Sequence, residues 1–192
     1  MESAILVAKN ATEEQKCRVN IDANTFKEIY ERHYKRVYNY ISYRINNHHD
    51  TADLVSQVFE RVIQKYSTYD PKRSAFEAWL MTIARNTVTD YLRKQKRAFN
   101  ISLDSVIDFI SGRSQPEEII VVNESNASLV KALAKLNEKE RNVVALKFAA
   151  ELKNTDIAKV MGISDSSVGV ILFRSLKKLR KELEKEGVVS NG

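Results

Sequence analysis

The chain has 192 residues, with 31 lysines and arginines against 25 acidic residues. Domains usually hold about 100 to 150 residues, so this length allows one domain or two small ones. Hydrophobic residues make up 43% of the chain, and glycine (5) and proline (2) are scarce, which predicts an all-α protein with packed cores. The single cysteine, Cys17, excludes an internal disulfide framework and fits a reducing, cytoplasmic compartment. Because no apolar run approaches the about 20 residues of a membrane span, we expect no membrane insertion.

The N-terminal stretch lacks the periodicity of the residues that follow it. Residues 1–22 mix small, charged and apolar types, which predicts a flexible leader. A first helix is predicted from Asn24, acting as its N-cap, to Ile45. The residues expected to face inward recur at helical spacing: Phe26, Ile29, Tyr30, Tyr34, Val37, Tyr38 and Ile41.

A second helix is predicted to begin at an N-cap formed by Asp50 or Thr51 and to run to about Tyr66. Its expected buried residues are Ala52, Val55, Val58, Phe59, Val62 and Ile63. Another face aligns three polar residues: Asp53, Gln57 and Glu60. That face is either an ordinary solvated surface or a docking surface. Neighbouring histidines in the preceding turn do not converge on one ion, so we predict no metal site.

The third predicted helix, Ala75 to Arg97, follows a turn at Ser67 to Ser74 and combines a buried stripe with a basic end. The stripe is expected to be core: Phe76, Trp79, Leu80, Ile83, Ala84, Val88 and Tyr91. From Arg85 to Arg97 there are five basic residues and one acidic residue, a net charge of +4. Such a helix end is either a solvated terminus or a surface that meets nucleic-acid phosphates.

An acidic segment separates the two halves of the chain. Between Ile101 and Ala127 five acidic residues oppose one arginine, and Gly112 and Pro116 interrupt the pattern. The composition therefore predicts two small helical bundles, residues 23–98 and 126–186, joined by a flexible acidic linker, residues 99–125, and followed by a tail, residues 187–192.

The second bundle shows the most specific pattern in the chain. Asn137 and Glu140 are spaced as a capping box, opening a helix expected to bury Val143, Val144 and Phe148. Gly162 lies where a tight turn needs positive φ, and Ser164 is placed to cap the next helix, with Asn154 or Thr155 capping the one before. These features predict a helix-turn-helix.

The second helix of that motif would present a mixed face to DNA. Its candidate contact residues are Ser164, Asp165, Ser166, Ser167, Gly169, Val170, Phe173, Arg174, Lys177 and Lys178. From Arg174 to Lys185 six basic residues oppose two acidic ones. A helix hairpin without a ligand is the simpler alternative, but two cationic helix ends on either side of an acidic linker favour DNA. With 3 histidines, 1 cysteine and no glycine-rich phosphate loop, we expect neither catalysis nor a cofactor.

The two halves together resemble the extracytoplasmic-function (ECF) group of bacterial sigma factors of RNA polymerase. In the first half the resemblance rests on DTADLVSQVFERV and FEAWLMTIARNTVTDYLRKQKR, and in the second on LNEKERNVVALKF and TDIAKVMGISDSSVGVILFRSLKKLR. It implies a subunit that binds core RNA polymerase and promoter DNA and directs promoter-specific initiation by recognising the −10 and −35 elements and assisting promoter melting. It also implies an anti-sigma factor as a partner.

The resemblance assigns roles to three groups of residues. The polymerase-binding group is Asp53, Leu54, Gln57 and Glu60. The −10 group is Trp79, Arg85, Asn86, Asp90, Arg93, Lys94 and Arg97, although the inward phase of Trp79 favours a role in the fold. The helix-turn-helix would hold the −35 element. Family members often carry polar or basic residues at the positions of Gly169, Val170, Ile171 and Phe173. A conventional helix-turn-helix regulator that binds operator DNA unaided is the alternative.

Overall fold

The structure is a computed structural model that describes residues 21–45, 47–100 and 124–185. Within these ranges it contains seven α-helices and no strand, so the all-α prediction is confirmed. The predicted leader up to residue 20, most of the predicted linker and the tail lie outside the described residues. The helices are α1 (Ala23–Ile45), α2 (His48–Lys65), α3 (Phe76–Asn100), α4 (Glu124–Ala134), α5 (Glu138–Val144), α6 (Asn154–Met161) and α7 (Asp165–Lys185).

Helices α1, α2 and α3 pack against one another to form the first unit. Val37 and Ile41 of α1, Val58 of α2, and Leu80 and Val88 of α3 are fully buried at its centre. The predicted stripe of α3 is confirmed, with its central positions in the core and its aromatic members half-buried at the edge. Helical spacing placed these residues correctly because a helix buried along one stripe must repeat its apolar residues every three or four positions.

Both predicted N-caps of the first unit are wrong. Helix α1 is capped by Asp22, whose Oδ1 accepts the backbone N–H groups of Asn24 and Thr25 at 3.0 Å. Helix α2 is capped by Asn47, whose Oδ1 accepts the backbone N–H of Asp50 at 3.2 Å. In each case several adjacent residues have side chains able to cap, and the residue that adopts the extended backbone before the helix takes the role.

Several residues predicted to be buried in the first unit are instead exposed. Tyr30 and Tyr34 on α1 are 39% and 36% exposed, and Ile63 on α2 is 43% exposed. Ala52 is also on the surface. The tyrosine rings lie along the edge of the α1–α2 contact, where the ring packs while the hydroxyl keeps its water.

The second unit consists of α4 to α7. The capping box at the start of α5 is confirmed: Asn137 Oδ1 accepts the Glu140 N–H, and the Glu140 carboxylate accepts the Asn137 N–H, both at 2.9 Å. Helix α5 continues into a π-helical turn, Ala145–Ala149. This turn widens the helix and changes the direction of later side chains, so Phe148, predicted to be buried, is 56% exposed.

The corner of the helix-turn-helix has the predicted geometry. Gly162 ends α6 in the left-handed conformation with φ 64°, and the Ile163 N–H reaches back to the Ala158 carbonyl at 3.1 Å. At the start of α6 the prediction is wrong, because Lys153 is the N-cap residue and its side chain makes no capping hydrogen bond. The Asn154 side chain, predicted to cap, accepts a hydrogen bond from Lys147 instead.

The two units are in contact, with α6 packed on α3 and the π-helical turn packed on α1. The Tyr40 hydroxyl of the first unit donates to Asn142 Oδ1 of the second at 2.9 Å in a buried environment. Burial raises the pKa of Tyr40 to about 12, so the hydroxyl remains a donor at neutral pH. Close by, the buried guanidinium of Arg44 lies 4.0 Å from the Glu138 carboxylate.

Candidate nucleic-acid interface

The outer face of α2 presents the polar row predicted from its spacing. Asp53, Gln57 and Glu60 are exposed on successive turns, while the opposite face of the helix supplies the core. Leu54 does not belong to this row because it is only 2% exposed and packs in the core. Its predicted contact with a partner is therefore corrected to a packing role, which follows from its phase on the helix.

The exposed side of α3 gathers most of the predicted −10 group. From the middle of the helix to its C-terminal part, five of these residues are exposed: Asn86, Asp90, Arg93, Lys94 and Arg97. This part of the helix therefore offers an amide, a carboxylate and three cations to a ligand approaching from one side. Phosphates and base edges are the chemical groups that such a mixture suits.

Two members of the −10 group are not freely exposed. Arg85 is half-buried, and its Nε has no hydrogen-bond partner among the described residues. Trp79 lies in a cluster of rings, with its centroid 5.4 Å from those of both Tyr69 and Phe76. This cluster supports the turn between α2 and α3, where the Tyr69 hydroxyl reaches the Ser74 carbonyl and Asp70 Oδ1 accepts the Lys72 N–H at 2.9 Å.

Helix α2 contacts α3 through three side-chain pairs that sequence reasoning missed. Arg61 donates through Nη1 to the Thr87 hydroxyl at 3.0 Å, and the same nitrogen lies 3.6 Å from Asp90 Oδ2. Nearer the basic end, the Tyr91 hydroxyl donates to Asp50 Oδ2 at 2.7 Å. The residues of these pairs are 26 to 41 positions apart in sequence, so no local sequence pattern predicts the contacts.

The N-terminus of α7 is closed by a cluster of serines. Ser164 Oγ accepts the backbone N–H of Ser167 at 3.2 Å, which confirms the predicted cap. The same oxygen contacts the hydroxyls of Ser166 and Ser167 at 3.0 and 2.7 Å. Ser166 and Asp165 are exposed in the first turn. Helix N-termini of this kind suit a phosphate, because backbone N–H groups and the helix dipole both favour negative charge.

The outward face of α7 carries apolar side chains where it would meet DNA. Phe173 is 70% exposed and Val170 is 48% exposed. Arg174 and Lys177 are exposed beside and beyond them. Gly169 is half-buried, and a Cβ built on it would meet no atom within 4 Å. This face therefore offers hydrophobic contact at its centre and positive charge at its edge.

Lys178, predicted as a DNA contact, is exposed on α7 and pairs with a carboxylate on α5. Its Nζ donates to Glu140 Oε1 at 2.6 Å. Burial alone would raise the pKa of Glu140, but the hydrogen bonds from Lys178 and from the Asn137 backbone outweigh it and hold that pKa below its ordinary value of 4.5. Lys178 therefore ties α7 to α5, and its contact with DNA stays a prediction.

Comparison with known proteins agrees with this arrangement. The Sigma-70 region 2 profile matches residues 29–98, and the Sigma-70 region 4 profile matches residues 126–179. The ECF sigma factor BldN of Streptomyces coelicolor is 29% identical over 162 residues, which span 84% of this chain and 61% of BldN. SigX of Bacillus subtilis, also an ECF sigma factor, is 29% identical over 83% of this chain and 84% of its own length. This chain belongs to the ECF sigma factors.

Two solved structures share the fold of this sigma factor. The sigma factor RpoE from Bartonella quintana, solved with the anti-sigma factor NepR, superposes with a TM-score of 0.67 at 21% identity, covering 83% of this chain and 96% of that one. CnrH, solved with the cytosolic domain of CnrY, gives a TM-score of 0.63 at 20% identity, covering 85% and 90%. None of the described helices is long and apolar enough to span a bilayer.

Proposed function

We propose that this sigma factor binds core RNA polymerase in the cytoplasm and directs it to promoters, while the polymerase performs all the chemistry. The observation that carries the proposal is the presence of two helical units, each with an exposed face suited to DNA and each matching a sigma region. In this proposal residues 23–98 hold the polymerase and the −10 element, and residues 126–186 hold the −35 element.

The polymerase-binding surface is proposed to be the exposed row on α2. Asp53, Gln57 and Glu60 point away from the core, so their substitution changes the surface and leaves the packing intact. Two carboxylates and an amide suit a partner surface that offers cations and hydrogen-bond donors. The row also lies on the helix that holds α3 through Arg61, so polymerase binding and DNA reading share one rigid unit.

The two DNA surfaces are proposed to read different forms of the promoter. On α3, Asn86 and Asp90 offer polar groups to the edges of unpaired bases, with Arg93, Lys94 and Arg97 on the phosphates. On α7, the second helix of the helix-turn-helix is proposed to enter the major groove of duplex DNA, as such helices commonly do. In this proposal the α3 surface reads the melted −10 element and the α7 surface reads the duplex −35 element.

We propose that the contact between the units changes when both surfaces bind promoter DNA. Helix α6 covers part of α3, and the Tyr40–Asn142 hydrogen bond joins the units in a buried position. We propose that polymerase separates the units and that an anti-sigma factor binds this chain when it is not on polymerase. A solved relative, the Bartonella sigma factor, is bound to an anti-sigma factor, which supports this part of the proposal.

Transcription from a promoter library tests the proposal. The chain is mixed with core RNA polymerase and templates randomised at the −10 and −35 elements, and start sites are sequenced. We expect a narrow set of starts that core polymerase alone does not produce. Start sites no more selective than those of core polymerase would reject the function.

Substitution on α2 tests the polymerase surface separately. Asp53→Ala is expected to weaken association with core polymerase about fivefold or more, because a charged contact is lost from an interface. Glu28→Ala, which removes an exposed carboxylate from α1, is the matched control and should bind normally. Loss of thermal stability in Asp53→Ala with unchanged polymerase binding would show that the residue belongs to the fold instead.

A further inference from the structure

Arg61 joins the polymerase-binding helix to the DNA-reading helix at one position. Its guanidinium donates to Thr87 and lies 3.6 Å from the carboxylate of Asp90, both on α3. Thr87 is a fixed anchor, since it is 1% exposed and its own hydroxyl donates to the Ile83 carbonyl at 2.9 Å. The Arg61 side chain is 35% exposed, so it sits at the boundary between the core and the DNA-facing surface.

Asp90 is chemically unusual on the surface where it lies. It is the only carboxylate between Arg85 and Arg97, a stretch with five basic residues. A carboxylate repels the phosphates that the neighbouring cations would attract, so it weakens non-specific binding. An ionised carboxylate only accepts hydrogen bonds, and the donors that DNA offers are the amino and imino groups of its bases.

The neighbours of Asp90 on its own helix offer competing ion pairs. Arg93 lies three residues and Lys94 four residues further along α3, the two spacings at which helix side chains meet. A pair with either would neutralise both the carboxylate and a cation needed for phosphate. In the structure Oδ2 of Asp90 is instead within 4 Å of Arg61, which approaches from α2.

We propose that Arg61 is a positioning residue that holds Asp90 so that its carboxylate accepts a hydrogen bond from the exocyclic amino group of an unpaired promoter base. Adenine, cytosine and guanine carry such a group. Thymine carries none and offers only its ring N3–H, which lies at a different position on the base, so a carboxylate that Arg61 holds in place disfavours thymine at one position. This inference rests on the proposed reading of the −10 element by α3. It extends that proposal to a residue on another helix and to the class of base that is selected.

The same promoter library, randomised across the melted region, tests this inference with four proteins. The wild-type holoenzyme should disfavour thymine about tenfold at one position, the size expected for one specific base contact. Arg61→Gln and Asp90→Asn should each reduce that preference to about twofold or less, and the double variant should lose no more than either alone. Preferences at the other positions should stay unchanged.

A packing role for Arg61 would give a different result. In that case Arg61→Gln would lower thermal stability and total transcription while the thymine preference stayed at its wild-type level, and the inference would be overturned. Thr87→Val offers a milder variant, because it removes only the anchor hydroxyl and keeps the shape of the side chain. It should also reduce the thymine preference, and retention of the full preference in both variants would reject the positioning role.

Salt dependence gives an independent readout. If Asp90 is released in Arg61→Gln and pairs with Arg93 or Lys94, one phosphate contact is lost. The slope of log affinity against log salt for a partly melted promoter fragment should then become shallower by about 0.7, the value for one contact to a single strand. An unchanged slope in Arg61→Gln would contradict the competing ion pair. Failure of the wild-type holoenzyme to select any start sites would instead reject the proposed function itself.

Discussion

The two surfaces of this sigma factor that are proposed to bind DNA differ in chemistry. The surface on α3 is polar and cationic, and α2 holds it in place through Arg61 and Asp50. The surface on α7 has Phe173 and Val170 at its centre, and its cations lie at the edge. One surface is suited to the hydrogen-bonding edges of single-stranded bases, and the other to the thymine methyl groups and shape of a duplex groove.

This difference explains why the two surfaces need different support. A hydrogen bond to a base requires a fixed direction, and Asp90 on α3 lies within 3.6 Å of Arg61 from the neighbouring helix. An apolar contact needs only proximity, and the exposed side chains of α7 stand on a helix fixed by Gly162 and Ser164 at its start. Charge should therefore dominate binding at α3, and contact area should dominate at α7.

The largest effect is expected from removing the charge of the α3 surface. The triple variant Arg93→Ala, Lys94→Ala and Arg97→Ala should lower holoenzyme affinity for a partly melted promoter about a hundredfold in about 0.15 M salt, because three phosphate contacts are lost. The slope of log affinity against log salt concentration should become shallower by about 2. Binding titrations at several salt concentrations measure both quantities. A large loss of affinity with an unchanged slope would show that these residues do not contact phosphates.

A smaller effect, of a different kind, is expected on α7. Phe173→Ala should lower initiation from promoters that depend on the −35 element about tenfold, because one apolar contact with base methyl groups is lost. Its salt slope should stay unchanged, since no charge is removed. In contrast, Lys177→Ala should weaken binding to all sequences and reduce the slope by about 1. A changed slope of log affinity against log salt in Phe173→Ala would contradict the proposed chemical difference between the α3 and α7 surfaces.

The smallest effect concerns the acid stability of the two units. Burial lowers the pKa of His33 below its ordinary value of 6.5, with Glu77 opposing the shift. As the pH falls, this imidazole is therefore protonated in the unfolded chain before it is protonated in the folded chain. The free energy of unfolding is therefore at its full value above pH 6.5 and decreases as the pH drops below 6.5. In the second unit the pKa of Glu140 is lowered, so its contribution to the free energy of unfolding is lost only as the pH falls below the ordinary value of 4.5.

The free energy of unfolding, measured between pH 7.5 and 5, tests whether His33 lowers stability at a higher pH than Glu140 does. The wild-type chain should lose stability in that range, and His33→Phe should remove most of the pH dependence while Glu140→Gln leaves it in place. The same pH dependence in His33→Phe as in the wild type would show that another group is responsible.

Local features of the fold could be predicted from the sequence, and contacts between distant residues could not. Gly162, Ser164 and the Asn137–Glu140 capping box are set by neighbouring residues, so their geometry followed from spacing. The stripe on α3 followed from helical periodicity. Phe148 was misplaced because a π-helical turn, which has no clear sequence signature, changes the direction of its side chain.

Sequence-based prediction had the same limit for the candidate binding residues. Lys178 was predicted to contact DNA because it lies in a basic run. Its ion pair with Glu140 was not predicted, because the two residues are 38 positions apart and only the packing of α5 against α7 brings them together. Arg61 was missed for the same reason, and the Tyr40–Asn142 contact spans 102 residues. Leu54 was assigned to a surface by family resemblance, although its helical phase places it in the core.

Promoter binding with and without polymerase is the most direct measurement of whether the two surfaces work as parts of a larger enzyme. A labelled promoter fragment and a scrambled fragment of equal length are titrated with the chain alone and with the chain bound to core RNA polymerase. We predict weak binding without sequence preference for the chain alone and selective binding for the complex. Equal selectivity in the two cases would contradict the account and identify a regulator that binds DNA unaided.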